Sequence, residues 1–164
     1  MTDQRLRTYT WADPAALADA ARTMSGLEFL DAIADGLLPA PPIMQTVGIA
    51  GLTVQDGRVV FDLEPQEWHY NPIGTVHGGI LSTLADSAMA CAVHTKLPAG
   101  TGYTSLELKI NFTRAATLDS GVLRCEGTVL TLGRRAATAE AKITDAAGRL
   151  VAHATTTCLI IGPA

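Results

Sequence analysis

Residues 80–94 read ILSTLADSAMACAVH, a run of Ala, Leu, Met, Cys and Val broken by a few hydroxyls and one acidic side chain, Asp86. A stretch of this length without Gly or Pro reads as a helix, and one that is apolar around nearly its whole circumference has to be buried on nearly every side. Pro98, Gly100 and Gly102 end it. A single apolar helix needs a sheet to wrap it, and the flanking sequence supplies the strands. Before the helix, residues 47–55 and 58–64 alternate and are joined by Asp56-Gly57, a strong hairpin signal. After it, residues 103–113, 121–131, 136–144 and 150–160 read as four longer strands, with turns at Asp119-Ser120-Gly121, Gly133 and Ala147-Gly148. The class expected is α+β.

Upstream, residues 13–38 are Ala-rich, and Leu27, Leu30, Ile33, Ala34 and Leu37 recur at helical spacing. This predicts an amphipathic helical arm. Ser25 before Glu28 fits a capping box, while Gly36, Pro39, Pro41 and Pro42 stop the helix and force an extended segment. The organisation expected is an N-terminal helical arm over residues 1–43 and a core domain over 44–164.

The bulk properties exclude several function classes. A formal charge of -4 and a pI of 5.5, without clustered Lys and Arg, argue against nucleic acid as a partner. Three cysteines, Cys91, Cys125 and Cys158, are an odd number without C-x-x-C spacing and lie in apolar or strand-like stretches, as reduced, buried thiols would. The start Met1-Thr2-Asp3-Gln4-Arg5 leads into no signal-peptide core, and no apolar run approaches the ~20 residues of a membrane span. A cytoplasmic protein without membrane contact is expected. The four histidines, His69, His77, His94 and His153, show no ligand spacing, so no metal or redox cofactor is implied.

Chemistry centres on Asp86. Burying an ionised carboxylate costs several kcal/mol unless it is paired or hydrogen-bonded. Either Asp86 is catalytic, or it is satisfied by the hydroxyls of Ser82, Thr83 and Ser87 or by an Arg on a strand. Gly78 and Gly79 leave backbone N–H groups unobstructed where the helix dipole favours negative charge, a ready oxyanion site or a plain junction. His77 would orient the loop or bind a carbonyl, and Asn71 would offer an amide or form a turn. At 1.5 Å per residue, Asp86 lies roughly 10 Å along the helix from the glycine amides, whereas one carbonyl must sit about 3 Å from each. If both serve one reaction, two helices must lie side by side, as in a C2 dimer with two equivalent sites.

The string Asn71-Pro72-Ile73-Gly74-Thr75-Val76-His77-Gly78-Gly79, followed by Asp86, resembles the signature of the PaaI-type hotdog-fold thioesterases. Leu132-Gly133-Arg134-Arg135, Ala139-Glu140-Ala141 and Gly148-Arg149-Leu150 resemble the family's later strands, and Gly26-Leu27-Glu28-Phe29-Leu30 its arm. The resemblance implies an antiparallel sheet wrapped around a long central helix. It also implies hydrolysis of an acyl-CoA, small aromatic or short- to medium-chain, at a site between subunits of a homodimer or homotetramer. Carried over, Asp86 would be nucleophile or general base and Gly78 the oxyanion donor, with His77, Asn71 and Ser105 orienting substrate or water. Gly79 and Thr83 would contact substrate, and Arg114, Arg134 and Arg135 would meet the CoA phosphates. Where members often carry Pro after the position of Arg114, this chain has Ala115-Ala116. A hotdog hydratase and a non-catalytic acyl-CoA binding module remain the alternatives.

Overall fold

In the computed structural model, which describes residues 4–162, the decisive run forms helix α4, Gly78–His94. Met1, Thr2 and Asp3, read above for a signal peptide, lie outside the described residues. Helix α4 begins two residues before the apolar run because His77 caps it, its Nδ1 accepting the Gly79 N–H at 2.8 Å. Gly78 and Gly79 are therefore the first turn of the helix and not a loop preceding it. Capping rules favour Ser, Thr, Asp and Asn at this position, so an imidazole cap escapes them.

Six antiparallel strands form one sheet in the order β1-β2-β4-β5-β6-β3: β1 Ile49–Gln55, β2 Arg58–Leu63, β3 Gly102–Phe112, β4 Leu123–Leu132, β5 Ala136–Thr144 and β6 Leu150–Ile161. The expected α+β wrap is what forms. Small side chains let the sheet come close to the helix. Ala85, Ala88 and Ala92 of α4 are fully buried, as are Ala137, Ala139 and Ala141 of β5. Closest of all is Gly127 of β4, where an added Cβ would stand 2.4 Å from the Ala88 carbonyl carbon and oxygen. Helix backbone here rests directly on strand backbone.

The expectation that the helix is buried on nearly every side needs correcting. Leu81, Leu84, Ala85, Ala88, Met89, Ala92 and Val93 are buried, but Ser82, Thr83, Asp86, Ser87, Ala90 and Cys91 form a half-buried stripe along the other face. Strand β3, at the sheet edge beside this stripe, has no partner on its outer side among the described residues. Cys125 and Cys158 are buried and Cys91 half-buried, all as free thiols. No helix among the described residues is long and apolar enough to cross a membrane.

The arm is two helices where one was expected: α1, Pro14–Thr23, and α2, Gly26–Ala34. They separate at Ser25, whose Oγ accepts the Glu28 N–H while the Glu28 carboxylate accepts the Ser25 N–H at 3.0 Å, the capping box read from the sequence. Gly26 donates its N–H to Leu97 O at 3.0 Å, and a Cβ there would overlap the His94 carbonyl. That close approach docks the arm on the C-terminal end of α4. A third helix, α3 at Pro42–Val47, replaces the extended segment expected after the prolines, because Pro at the first helical position has its φ already set. Gly48, at φ +83°, ends α3, so the first strand begins at Ile49 and not at Val47.

His69 ties α3 to the segment before α4. Its ring is 2 % exposed, with Nε2 donating to Val47 O at 2.7 Å and Nδ1 accepting from the Gln66 N–H at 3.0 Å. Burial holds this imidazole below its ordinary pKa, and the His94 imidazole likewise.

Two predictions follow from the packing. Gly127→Ala should lower the free energy of unfolding measured in urea by the upper part of the ~1–3 kcal/mol range of overpacking, and a wild-type value would show that α4 is free to shift. For His69 the folded-state pKa lies below the unfolded value of ~6.5, so the unfolded chain binds more protons and stability falls as pH drops below about 6.5. Glu126 and Asp145, held below their ordinary values by the Arg58 guanidinium and by the Arg149 backbone N–H respectively, act only at lower pH, below the carboxylate range. Melting temperatures at pH 7.5 and 5.5 should therefore differ less in His69→Asn than in the wild type; an unchanged difference contradicts the assignment.

Candidate active site

Asp86 lies in the middle of the half-buried stripe of α4. Ser105 Oγ of β3 donates to its Oδ1 at 2.8 Å. The helix hydroxyls do not satisfy it: Ser82 and Thr83 donate instead to the Gly78 and Gly79 carbonyls, at 2.8 and 2.9 Å. No Arg or Lys forms an ion pair with Asp86 among the described residues. A carboxylate with one hydroxyl partner keeps its second oxygen free to accept.

A bulge aims Ser105 at the helix. The pairing of β3 with β6 shifts register between Ser105 and Glu107, leaving Leu106 as the extra residue, 60 % exposed. Tyr103 and Ser105 face inward before the bulge and Leu108 and Ile110 after it, so one inserted residue reverses the parity of the strand. The result is a cavity of about 340 Å³ lined by Ser82, Thr83, Asp86, Ser105 and residues 106–108. Burial raises the neighbouring groups, with the charge of Asp86 adding a smaller push: the Cys91 thiol goes to about 12, and the Tyr103 phenol well above its ordinary range. Both stay protonated at neutral pH, which excludes Cys91 as a thiolate nucleophile.

A second cavity, of about 440 Å³, opens at the other end of the stripe and is lined by Asn71, Gly78, Phe112 and Arg114 among others. Gly78 is the first residue of α4, where N–H groups have no helical acceptor and the dipole is positive. Its N–H has no acceptor among the described residues. A Cβ on Gly78 would stand 3.0 Å from the Phe112 ring, so the glycine lets amide and ring approach each other. The Gly79 amide, expected to be available with it, is occupied by His77 Nδ1. That contact makes His77 a helix cap first. Asn71 accepts from the Ile73 and Thr75 N–H groups, both at 3.1 Å, and donates to Thr75 Oγ1 at 2.8 Å, leaving one side-chain N–H for an outside group.

Arg114 follows β3 and is exposed beside Gly78, its backbone N–H and that of Thr113 both donating to Val151 O. Arg134 and Arg135 are exposed in the β4–β5 turn and line neither cavity. The structure thus divides the sequence candidates into an acid half with Asp86, Thr83 and Ser105 and an amide half with Gly78, Asn71 and Arg114. Sequence reading missed Leu106 and Phe112. A bulge has no signature in strand periodicity, and an aromatic at a strand end gives no sign of what lies on it.

Comparison with known proteins bears on the chemistry. The model of the thioesterase superfamily matches residues 73–152, which include Gly78, Asp86, Ser105 and Arg114. The 1,4-dihydroxy-2-naphthoyl-CoA hydrolase of Listeria monocytogenes is 27% identical over 109 residues, 66% of this chain and 87% of that protein. Human acyl-coenzyme A thioesterase 13 is 30% identical over 98 residues, 59% of this chain and 69% of that protein. Among solved structures, the phenylacetic acid degradation-related protein of Ralstonia eutropha JMP134 is 28% identical with a TM-score of 0.72, over 79% of this chain and 98% of that one. With a sheet wrapped around one helix, a carboxylate on that helix and an open amide at its start, the chain belongs to the thioesterase superfamily and is a hotdog-fold thioester hydrolase.

Proposed function

We propose that the chain hydrolyses an acyl-CoA to free acid and CoA at a site built from two copies, the Asp86 half of one and the Gly78 half of the other. The observation that carries this reading is the division of the site: Asp86 and Ser105 share one cavity, and the free Gly78 N–H lines another. The eight residue steps from Gly78 to Asp86 span about 12 Å of helix, too far for one carbonyl. A twofold axis level with Ser82, midway between the two, sets Asp86 of each helix beside the partner's Gly78. The open edge of β3 supports the same arrangement, since an unpaired edge of eleven residues invites pairing with a second β3. Its bulge at Leu106 lines the cavity that also holds Ser82, so the middle of the strand and the middle of the helix segment meet at one place. Antiparallel pairing also brings the Arg134-Arg135 end of one chain toward the partner's Arg114, next to the CoA phosphates.

In this reading the thioester carbonyl oxygen accepts from the Gly78 N–H. Asp86, its Oδ1 held by the Ser105 hydroxyl, takes a proton from the attacking water, or attacks the carbonyl itself to give a mixed anhydride that a water then hydrolyses to free acid and the regenerated carboxylate. The tetrahedral oxyanion stays on the Gly78 amide, the C–S bond breaks, and the CoA sulfur leaves and takes up a proton. Protein groups and water suffice for these steps. The names of the human and Listeria relatives, a thioesterase and a CoA hydrolase, favour hydrolysis over hydration of an enoyl thioester and support CoA as the carrier.

Asp86→Asn should reduce the release of CoA thiol by about 10²–10⁴-fold with the melting temperature retained. Near-normal turnover in a folded variant overturns the assignment, while tight binding of acyl-CoA without turnover in the wild type favours a binding module. The shared site has its own test. Gly78→Pro removes the amide hydrogen at the first helical position, whose backbone suits Pro, and the exposed Phe112 ring has to turn aside for the added Cβ. Asp86→Asn and Gly78→Pro should each be inactive alone. Unfolded and refolded together at equal amounts, they should recover about a quarter of wild-type turnover, because half of the dimers are mixed and one of the two sites in each mixed dimer is intact. Sites confined to one chain would give no recovery.

A further inference from the structure

Among the described residues the buried polar or charged side chains are His69, His94, Thr95, Asp145 and Thr156. Three of them hold a turn or a chain crossing. His69 bonds Val47 O and the Gln66 N–H, Thr95 accepts the Gly57 N–H of the β1–β2 hairpin, and Asp145 accepts the N–H groups of Ala147 and Arg149 in the β5–β6 turn. His94 stacks between the rings of Phe29 and Tyr103. Thr156 has no such place. It lies in the middle of β6, 2 % exposed, on the inward face between the fully buried Ala154 and Cys158. A hydroxyl in such a row costs free energy unless it finds an acceptor. Its acceptor is the Glu107 carbonyl of β3, to which Thr156 Oγ1 donates.

That carbonyl belongs to the residue just after the bulge. Strand β3 pairs with β6 at Leu108 with Thr156 and at Glu107 with Thr157, passes over Leu106, and resumes at Ser105 with Cys158. A bulge interrupts the ladder locally, and Thr156 supplies a side-chain hydrogen bond at the interruption. The position of the interruption decides which side chain meets Asp86. Leu108 and Ile110 face inward, so in an unbroken ladder Leu106 would follow them inward and Ser105 would point to the outer face of the sheet. With the extra residue at Leu106, the Ser105 hydroxyl reaches Asp86 Oδ1 at 2.8 Å instead.

We propose that Thr156 is a positioning residue for the acid half of the site: its hydrogen bond to Glu107 O fixes the bulge at Leu106, and the bulge turns Ser105 to Asp86. Thr156 lines neither cavity of the site and acts through Ser105 alone. The inference rests on the thioesterase reading of Asp86. Thr156→Val keeps the shape of the side chain and deletes the donor, whereas Thr156→Ser deletes a methyl and keeps the donor.

The test is steady-state release of CoA thiol from phenylacetyl-CoA and octanoyl-CoA by the wild type, Thr156→Val, Thr156→Ser, Ser105→Ala and the double variant Ser105→Ala/Thr156→Val. Thr156→Val should lower kcat about tenfold with KM within about twofold, and Thr156→Ser should keep kcat within about twofold of the wild type, since misplacing an aligned group slows the chemical step. In the Ser105→Ala background, Thr156→Val should change kcat by less than about twofold, because both substitutions remove the same contact. Thr156→Ala, compared with Thr156→Ser, takes the place of Thr156→Val if that variant does not fold. Wild-type kcat in folded Thr156→Val, a loss of equal size with and without the Ser105 hydroxyl, or a loss in Thr156→Ser as large as in Thr156→Val overturns the role. If Asp86→Asn is inactive in the same assays, only that role is lost; if Asp86→Asn retains full turnover, the reading beneath it fails as well.

Discussion

The close contact between Gly127 of β4 and the Ala88 backbone of α4 sets the geometry on which the rest depends. With no side chain between helix and strand, the sheet curls around α4 at the shortest possible distance. Alanines on α4 and β5 continue that seam, so the helix is held by many small contacts that fix its position along the sheet and its rotation about its own axis. Rotation is what matters for chemistry. With Ala85, Ala88 and Ala92 against the sheet, Asp86 is turned to the open stripe, and the Gly78 amide is presented at the other end of the same face.

That stripe explains why the chain holds a carboxylate in an apolar helix. A fully wrapped helix would bury Asp86 without water, at a cost that one hydroxyl could not offset. Here the sheet stops at β3, and the bulge at Leu106 turns Ser105 to meet the carboxylate. The acid keeps one fixed hydrogen bond and one open oxygen. Asp86 is thus held in orientation by β3 and left available by the place where the sheet ends, and the same unpaired edge offers the surface on which a second copy completes the proposed site.

The arm is bound into this arrangement by backbone contacts. Gly26 allows α2 to meet the C-terminal end of α4, where Phe29, His94 and Tyr103 form a row of rings with centroids 5.4 and 5.0 Å apart. His69 links α3 to the segment that leads into α4. Both ends of the central helix are therefore braced by the residues before β1, so Asp86 and the proposed oxyanion donor sit on one helix held at either end.

The sequence alone determined the α+β class, all six strands to within two residues at each end, the hairpin at Asp56-Gly57, the capping box at Ser25, and Asp86 as the unusual charge. These depend on local signals: alternation, helical spacing, turn residues, and the rarity of an acid in an apolar run. The division of the arm at Ser25, the helix at Pro42 and the cap by His77 rest on local contacts that helical spacing alone does not rank, whereas the bulge at Leu106 came only with tertiary structure, because its register is set by pairing with β6. The site itself was legible as a list of residues but not as a partition. That Gly79 is occupied while Gly78 is free follows from the His77 cap, that Arg134 and Arg135 lie outside both cavities follows from their place in the β4–β5 turn, and that Ser105 and not the helix hydroxyls holds Asp86 follows from how the helix is rotated on Gly127. Rotation is set by packing across the whole sheet, and no segment of sequence encodes it by itself.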